Sequence, residues 1–413
     1  MCRLICFVCE VAFEMGDQDL PSTLTSLFIK FLHQKLASTT DTAVIQNRQN
    51  LARLAQVAWS LGQKQQNSLK SDHFPSKEVK EFALTYSFAL PFAFPSYKDN
   101  REEEFGSVFS SFIIQNFLGA LHLVLAEEVK DKSFTKHLSL TAKVKRSLSW
   151  LDLVPRFLPG LLFLQNDPKR HPLLDEEMER ILTKKQNTFS KYIKKLEIHD
   201  LSPARLLELF HCVHESEDHY LLQHVALRLQ SDLSFQGIVL TPPDVYVLHS
   251  ILTRSKKEFS LDLRSSAIDL QGLKQLVCMK NVTSFRASLS DTVRLWESLQ
   301  QAKEYELLAV SIEKFTVDPF QAKTLKDVDD LAGLVRMQEK MIHHRIKNAS
   351  GCIENLCTLE IPAVKNLRQL EFALGPSCGP QGFLKLVEIL DAFPSLQHLD
   401  LDAPSENEIG DAG

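Results

Sequence analysis

The sequence predicts a mainly α-helical chain that continues into an α/β solenoid. Apolar residues recur at helical spacing through about residue 235, and the period changes to two at Phe259-Ser260-Leu261-Asp262-Leu263. One spacing then occurs twice, 29 residues apart: Leu367-x-x-Leu370-x-Phe372 and Leu396-x-x-Leu399-x-Leu401. A strand of this pattern followed by a helix, repeated about every 20–29 residues, is typical of leucine-rich repeats. Because one such unit cannot bury its apolar face alone, we expect stacked neighbours and read the chain as part of a longer protein. The strands at 261–263, 370–372 and 399–401 should then lie side by side in a parallel sheet.

The first 130 residues are predicted to be mostly helical. Ser22 or Thr23 is placed to cap a helix, and a second helix is expected near residues 51–61. Residues 91–104 contain two prolines and a charged run, which predicts a loop. Residues 107–126 carry no formal charge and are long enough to cross a bilayer, but their six polar side chains favour a buried amphipathic helix.

The helical pattern persists to about residue 235, with helices expected at 174–198 and 203–214. Residues 259–276 then predict a strand, a turn and a helix, as in one leucine-rich repeat. The polar residues 336–350 predict an extended or disordered insertion before the repeats resume.

One later helix carries a clear apolar stripe. Leu289, Val293, Trp296 and Leu299 recur at helical spacing, so we expect them to be core residues, with Ser290 or Asp291 capping the start of the helix.

The composition is that of an ordinary globular protein. Hydrophobic residues make up 44% of the chain and the formal net charge is −5, which argues against general binding to nucleic-acid phosphates. The eight cysteines are unevenly placed, which predicts a reducing, intracellular environment. The first residues lack the cleavage site of a signal peptide, and no membrane association is expected.

Two groups of residues have the spacing of metal or cluster ligands. Cys2-x-x-x-Cys6-x-x-Cys9 matches the spacing that holds an iron–sulfur cluster in radical-type enzymes, but no β/α barrel pattern follows, so buried structural cysteines are the favoured interpretation. The second group could hold zinc, but it ends an amphipathic helix and has no matching second pair. It consists of His211, Cys212, His214, Glu215, Glu217, Asp218, His219 and His224.

Short motifs give no catalytic site. No phosphate-binding loop, nucleophile elbow or H-E-x-x-H motif occurs. Lys143-Val144-Lys145-Arg146 is either a weak nuclear-import signal or a solvated loop. Leu158-Pro159-Gly160-Leu161-Leu162 has coactivator-box spacing, but Pro159 and Gly160 oppose the helix that such a box needs. We therefore predict no enzyme activity and no catalytic, cofactor-binding or metal-binding residue in this chain.

The order of its parts resembles the C-terminal half of a NACHT–leucine-rich-repeat (NLR) protein. Residues 115–120 are similar to the helix that ends the winged-helix domain of this family, and residues 207–215 resemble its next helical domain. The resemblance implies three regions. They are the end of the NACHT module and the winged-helix region (1–130), a superhelical NACHT-associated domain (131–235), and a transition segment with the first ribonuclease-inhibitor-like leucine-rich repeats, truncated (236–413).

Longer stretches resemble one member of the family that acts as a transcriptional coactivator, most specifically residues 287–301, 314–320 and 370–376. This resemblance implies a protein of the nucleus and cytoplasm in adaptive immunity. It would contact promoter-bound transcription factors and coactivators, without binding DNA directly, to raise transcription of antigen-presentation genes. Self-association is also expected. The alternative is a cytoplasmic NLR innate immune sensor or signalling scaffold.

The family binds ATP or GTP with Mg²⁺, through a phosphate-binding loop and an acidic strand that would lie upstream of Met1. Many members also place a histidine six residues before the phenylalanine of the Q-x-F helix, where it reaches the nucleotide phosphates. The matching position here is Ser111, six residues before Phe117, and a hydroxyl cannot replace an imidazole. We therefore expect no nucleotide cofactor in this chain.

Overall fold

The computed structural model describes residues 21–36, 41–94, 104–138, 140, 150–163, 176–348, 360–375 and 378–401, together with Cys6 and Glu10. The chain divides into two compact units, Met1–Ala226 and Leu227–Gly413. Helices dominate both, and each unit also contains small sheets. The predicted domain boundaries after residues 130 and 235 stay predictions.

The first unit holds nine described helices and three strands. In chain order they are α1 (Leu24–Leu36), α2 (Asp41–Gln63), β1 (Ser68–Leu69), α3 (Lys77–Thr85), β2 (Ala89–Phe94), β3 (Glu104–Phe109), α4 (Phe112–Leu125), α5 (Asp131–Leu138), α6 (Val154–Leu162), α7 (Glu176–Lys195), α8 (Pro203–Glu215) and α9 (His219–Arg228). The last of these helices crosses the boundary between the units.

Thr23 caps the start of α1, as the sequence predicts. Its hydroxyl accepts a hydrogen bond from Ser26 N (3.0 Å), and the Ser26 hydroxyl accepts one from Thr23 N (3.0 Å). This reciprocal pair satisfies two donors that the first turn leaves without helical partners. The cap therefore directs the apolar face of α1 into the core.

Three aromatic rings form the centre of this core. Phe28 of α1 stacks on Phe117 of α4, with ring centroids 5.0 Å apart, and both meet Phe157 of α6 edge to face. All three side chains are almost fully buried. Offset-stacked and edge-to-face arrangements are the favoured geometries for aromatic pairs, so the cluster joins three helices that are far apart in the sequence.

An antiparallel sheet in the order β1-β3-β2 corrects two predictions. Residues 91–94, predicted to be part of a loop, belong to β2, and residues 107–109, predicted to begin a helix, belong to β3. The helix begins only at Phe112. Pro91 misled the prediction, because proline is tolerated on an edge strand and β2 lies at the edge of this sheet. Among the described helices, none is both long and apolar enough to cross a membrane.

The second unit holds two parallel sheets and seven further described helices. In chain order the elements are β4 (Asp232–Ser234), α10 (Pro242–Thr253), β5 (Phe259–Asp262), α11 (Leu270–Val277), β6 (Val282–Arg286), α12 (Leu289–Gln301), α13 (Tyr305–Lys314), β7 (Phe320–Ala322), α14 (Leu325–Asn348), α15 (Pro362–Lys365), β8 (Gln369–Phe372), α16 (Gly379–Val387) and β9 (His398–Asp400).

The three predicted strands are present, but they do not share one sheet. The first sheet has the order β4-β5-β6 and the second has the order β7-β8-β9. In each sheet an apolar column runs across the strands, through Leu233, Leu261 and Phe285 in the first and through Leu370 and Leu399 in the second. The strand at residue 261 thus lies in the first sheet, and the other two lie in the second.

The helices of this unit confirm one prediction and correct two. Leu289, Trp296 and Leu299 are buried on α12, with Val293 half-buried, but the cap is Ser288, whose hydroxyl accepts from Asp291 N. Residues 336–348, predicted to be an extended or disordered insertion, continue helix α14. Polarity suggested disorder there, but the segment contains neither proline nor glycine and is rich in good helix formers.

Candidate functional site

A carboxylate holds the first turn of α1 in place. Glu215, at the end of α8, accepts hydrogen bonds from Leu24 N (3.0 Å), Thr25 N (2.8 Å) and the Thr25 hydroxyl (2.6 Å). Negative charge is favourable at a helix N-terminus, where backbone N–H groups have no helical partners. Burial raises the pKa of Glu215, and the hydrogen bonds from Thr25 and Leu24 oppose that rise. A side chain at Gly160 would overlap Thr25, so the glycine lets α6 approach this contact.

A buried lysine does the opposite at the end of α4. Lys185 of α7 is only 3% exposed. Its ammonium group donates to three backbone oxygens, those of Leu123 (2.7 Å), Val124 (3.1 Å) and Ala126 (2.5 Å). These carbonyls end a helix and therefore carry partial negative charge, which a cation stabilises.

Two buried amides on α4 tie it to its neighbours. Asn116 donates to the backbone oxygens of Phe112 (2.9 Å) and Trp150 (2.8 Å) and accepts from Leu153 N (3.1 Å). Gln115 donates to Gln66 O (2.7 Å) after the end of α2. Both amide side chains are fully buried, so the polar residues that argued against a membrane span hold this helix in the protein interior.

Two of the candidate zinc residues, Cys212 and Glu215 of α8, instead form hydrogen bonds to backbone groups of neighbouring helices. Proline at 159 has no N–H to bond the carbonyl of Pro155 one turn earlier, and the Cys212 thiol donates to that oxygen instead (3.3 Å). Glu215 caps α1, as described above. Within the described ranges, no three His, Cys, Asp or Glu residues lie close enough together to hold a metal ion. The interpretation of buried structural cysteines is wrong for Cys6, which is exposed, while Cys2 and Cys9 lie outside the described residues.

The short motifs have different outcomes. Residues 158–162 lie in α6 with their leucines fully buried. Contrary to the prediction, Pro159 and Gly160 do not prevent a helix there. Burial is what keeps these leucines from contacting a partner. Ser111 caps α4 by accepting from Ile114 N (3.1 Å). The basic run at 143–146 lies outside the described residues.

In the second unit, an ion pair lies on the open strand face, the side of the sheets whose side chains are not buried in the core. Arg264 Nη2 is 2.6 Å from an Asp262 carboxylate oxygen, and Arg264 Nε donates to the other oxygen at 3.0 Å. The same guanidinium reaches Gln236 (3.4 Å), next to β4. Although burial opposes the shift, the hydrogen bonds from Arg264 lower the pKa of Asp262, which is therefore charged at neutral pH.

A loop at Asp318 links the two sheets. Arg286, at the end of β6, donates to the backbone oxygen of Asp318. The Asp318 carboxylate accepts from Arg368 N (2.8 Å) and Gln369 N (2.9 Å), where β8 begins. Burial, and repulsion from Arg264, lower the pKa of Arg286. Because this loop is bonded to a strand of each sheet, it fixes their relative position within the unit.

The outward positions of both sheets are polar. In the first sheet Ser260 and Asp262 alternate with buried residues on β5, and Ser284 and Arg286 flank buried Phe285 on β6. In the second sheet Gln321 donates to the Glu371 carboxylate (2.5 Å). These side chains offer hydrogen bonds and charges on a face lined by strands, which suits recognition of another protein surface.

Comparisons with known proteins show similarity to NLR proteins. Residues 112–224 match the model of the NLRC4 helical domain HD2. The human MHC class II transactivator is 45% identical to this chain over an alignment of 415 positions, which covers 100% of the chain and 35% of that protein. The similarity to the transactivator therefore extends along the whole chain.

Other NLR proteins match it more distantly. Human Protein NLRC5 is 28% identical over 185 residues, covering 44% of the chain and 10% of NLRC5. Protein NLRC5 of Ictalurus punctatus is 23% identical over 304 residues, covering 67% of the chain and 17% of that protein. The chain thus spans about a third of the transactivator and smaller shares of these NLRC5 proteins.

Sequence reasoning missed Lys185 and assigned Glu215 to a different role. The sequence does contain a signal that Lys185 is buried, because this lysine lies between Leu182 and Phe189 on the apolar stripe of α7. A lysine in such a stripe is buried only if polar groups receive it. Glu215 gives no such signal, since its partners lie 190 residues away in the sequence.

Proposed function

We propose that this chain is part of a transcriptional coactivator that raises transcription of MHC class II genes by RNA polymerase II. The observation that carries the proposal is the 45% identity to the human MHC class II transactivator along the whole chain. In this proposal the protein is present in the nucleus and cytoplasm and acts through contacts with promoter-bound transcription factors and coactivators, without binding DNA directly and without catalysing a reaction.

Two finer assignments belong to this proposal. The order α2-β1-α3-β2-β3, with β3 between β1 and β2, supports a winged-helix domain that continues into the superhelical domain. The strand–helix alternation and the parallel sheets of the second unit support a leucine-rich-repeat solenoid. The open strand face would then be a partner surface, and the helix edge with exposed Leu384 and Val387 would stack on a further repeat or a second copy.

Nucleotide binding is proposed for the upstream part of the full-length protein only. The chain contains no phosphate-binding loop, and Ser111 is occupied in capping α4. Titration of a fluorescent ATP or GTP analogue with Mg²⁺ into the 413-residue chain should show no saturable binding. Micromolar binding that unlabelled nucleotide displaces would refute this assignment.

The function is tested in cells with two reporters, one driven by an MHC class II promoter and one responding to inflammatory signalling. The full-length protein should activate the first, and removal of residues 107–413 should abolish that signal. A response confined to the second reporter would replace the proposal with the cytoplasmic sensor.

A matched pair of substitutions tests the open strand face. Glu371→Lys reverses a charge on β8, while Glu388→Lys makes the same charge change at an exposed position after α16. We expect Glu371→Lys to lower the promoter signal at unchanged protein abundance and Glu388→Lys to leave it unchanged. Equal effects of the two would remove this face from the proposal.

A further inference from the structure

The outward face of α7 carries a row of cations, interrupted by Asn187. Between Arg180 and Lys195 the helix has six basic residues and no carboxylate. One of the six, Lys185, is buried, and the other five are exposed. At 3.6 residues per turn these five fall within about 100° of the helix circumference, opposite the buried stripe. They are Arg180, Lys184, Lys191, Lys194 and Lys195.

This row, called the α7 basic stripe, differs from several other helical lysines of the chain. Four lysines on other helices each pair with a carboxylate, in Lys274–Glu304, Lys340–Glu297, Lys365–Glu360 and Lys385–Asp329. On the stripe, Arg180, Lys184, Lys191 and Lys195 form no ion pair with a described carboxylate. Like charges at i and i+4 repel one another, so this arrangement lowers helix stability unless an anion covers it.

The helix dipole accounts for only part of the stripe. Lys194 and Lys195 lie in the last turn of α7, where cations are favourable. Arg180, Lys184 and Lys191 lie outside that turn, so the dipole gives no reason for their charges.

The geometry points to an extended acidic segment of another protein as the occupant of the stripe. Arg180 and Lys195 are about 22 Å apart along the helix axis, the length of roughly seven residues of extended chain. A narrow peptide can follow the stripe alone, whereas duplex DNA would also approach the remainder of a chain whose net charge is −5. Four of the five cations are lysines, which act as point charges and suit a flexible row of carboxylates. We propose that the α7 basic stripe docks such a segment, an inference that stands apart from the proposed function.

Fluorescence anisotropy with the 413-residue chain tests this proposal. The probe is a fluorescein-labelled peptide of twelve glutamates, and a peptide of twelve glutamines serves as the uncharged comparison. We expect saturable binding of the glutamate peptide that weakens as salt is added. Lys184→Glu with Lys191→Glu should weaken it by about tenfold or more, because like charges would then face each other.

Three comparisons make the result decisive. Lys184→Arg with Lys191→Arg keeps the charge and should retain binding. Lys256→Glu with Lys280→Glu makes the same net charge change at exposed lysines of the other unit and should leave binding unchanged. Circular dichroism should show the folded helix content in every variant, since all four positions are exposed. Unchanged affinity after the α7 charge reversal, or tighter binding of a 20-base-pair duplex than of the glutamate peptide, would overturn the proposal.

Discussion

The two units are cross-linked over very different distances in the sequence. In the first unit, Glu215 reaches Thr25 across 190 residues and Lys185 reaches Leu123 across 62. In the second, Asn281 donates to Leu252 O across 29 residues, and Lys274 donates to Glu304 across 30. The contacts of the second unit thus connect each strand–helix segment to the next one, while those of the first unit join segments that lie far apart in the sequence.

This difference predicts different responses to damage. When each segment contacts only its neighbours, disruption stays near its origin. When a few long-range contacts close the whole unit, loss of one of them is felt throughout it.

Removing a fully buried aromatic ring should be equally costly in both units but should spread differently. Trp296 meets Phe315 edge to face at 5.6 Å, and Phe157 meets Phe28 and Phe117. Trp296→Ala and Phe157→Ala should each cost about 3–5 kcal/mol of unfolding free energy. Hydrogen-exchange mass spectrometry should show faster exchange confined to segments near α12 after the first change, but across the whole first unit after the second.

One outcome would count against this contrast. If Trp296→Ala raised hydrogen exchange equally throughout the second unit, the disruption would not be confined to neighbouring segments as expected. Val293→Ala, at a half-buried position on the same helix, should give a smaller loss and serves as the control.

Loss of the buried ammonium group should be the next largest effect. Lys185→Met keeps the aliphatic stem but removes the donor to the carbonyls of Leu123, Val124 and Ala126, of which Ala126 O also accepts from Val129 N (3.3 Å). We expect a loss of about 2–3 kcal/mol, the penalty for unsatisfied buried acceptors. Urea denaturation measures it, and Lys184→Met, one residue earlier and exposed, should change stability little. If both substitutions changed the free energy of unfolding equally, the buried hydrogen bonds of Lys185 would not be a special source of stability.

The carboxylate cap of α1 should contribute less. Glu215→Ala removes the acceptor of two backbone N–H groups and of the Thr25 hydroxyl. A loss of about 1–2 kcal/mol is expected, as for other helix caps. Glu215→Gln keeps one oxygen acceptor and should recover part of that loss. The same urea experiment would contradict the cap if Gln and Ala were equally destabilising.

The smallest effect should be a pH dependence from His137, whose ring lies edge to face with Trp59 at 5.0 Å. Burial, and to a lesser degree Lys136, lowers the pKa of His137 below its ordinary value of 6.5. The folded protein therefore binds this proton less readily than the unfolded chain, and the stabilisation present above pH 6.5 is lost as the pH falls through the lowered pKa. His137→Phe should flatten the dependence of urea midpoints on pH below 6.5, and an unchanged slope would exclude this histidine as its source.

The contrast between the units also explains what the sequence could predict. The strands at residues 261, 370 and 399 were predictable because alternating apolar residues and a fixed spacing are local signals. The Thr23 cap was predictable for the same reason. The antiparallel sheet was not, because Pro91 on an edge strand resembles a loop signal and the charge-free residues 107–126 resemble one helix.

The polar contacts of the first unit required three-dimensional information. Glu215 reads as one acidic residue among several near the end of a helix, and only the fold brings Thr25 to it. Cys212 reads as part of a zinc pattern, yet its thiol serves a carbonyl that a proline left without a donor. Residue type and spacing therefore suggested chemistry at positions where the fold uses the same atoms to satisfy backbone groups.

The packing of Phe28 determines where this protein can be shortened. The residues matched as the NLRC4 helical domain HD2 begin at 112, yet the ring that stacks on Phe117 comes from α1, more than 80 residues earlier. A recombinant piece that starts at residue 112 would expose Phe117 and Phe157 to water and leave the Glu215 carboxylate without its three donors. Residues 21–36 should therefore be retained, or supplied as a separate peptide, in any attempt to isolate this helical region.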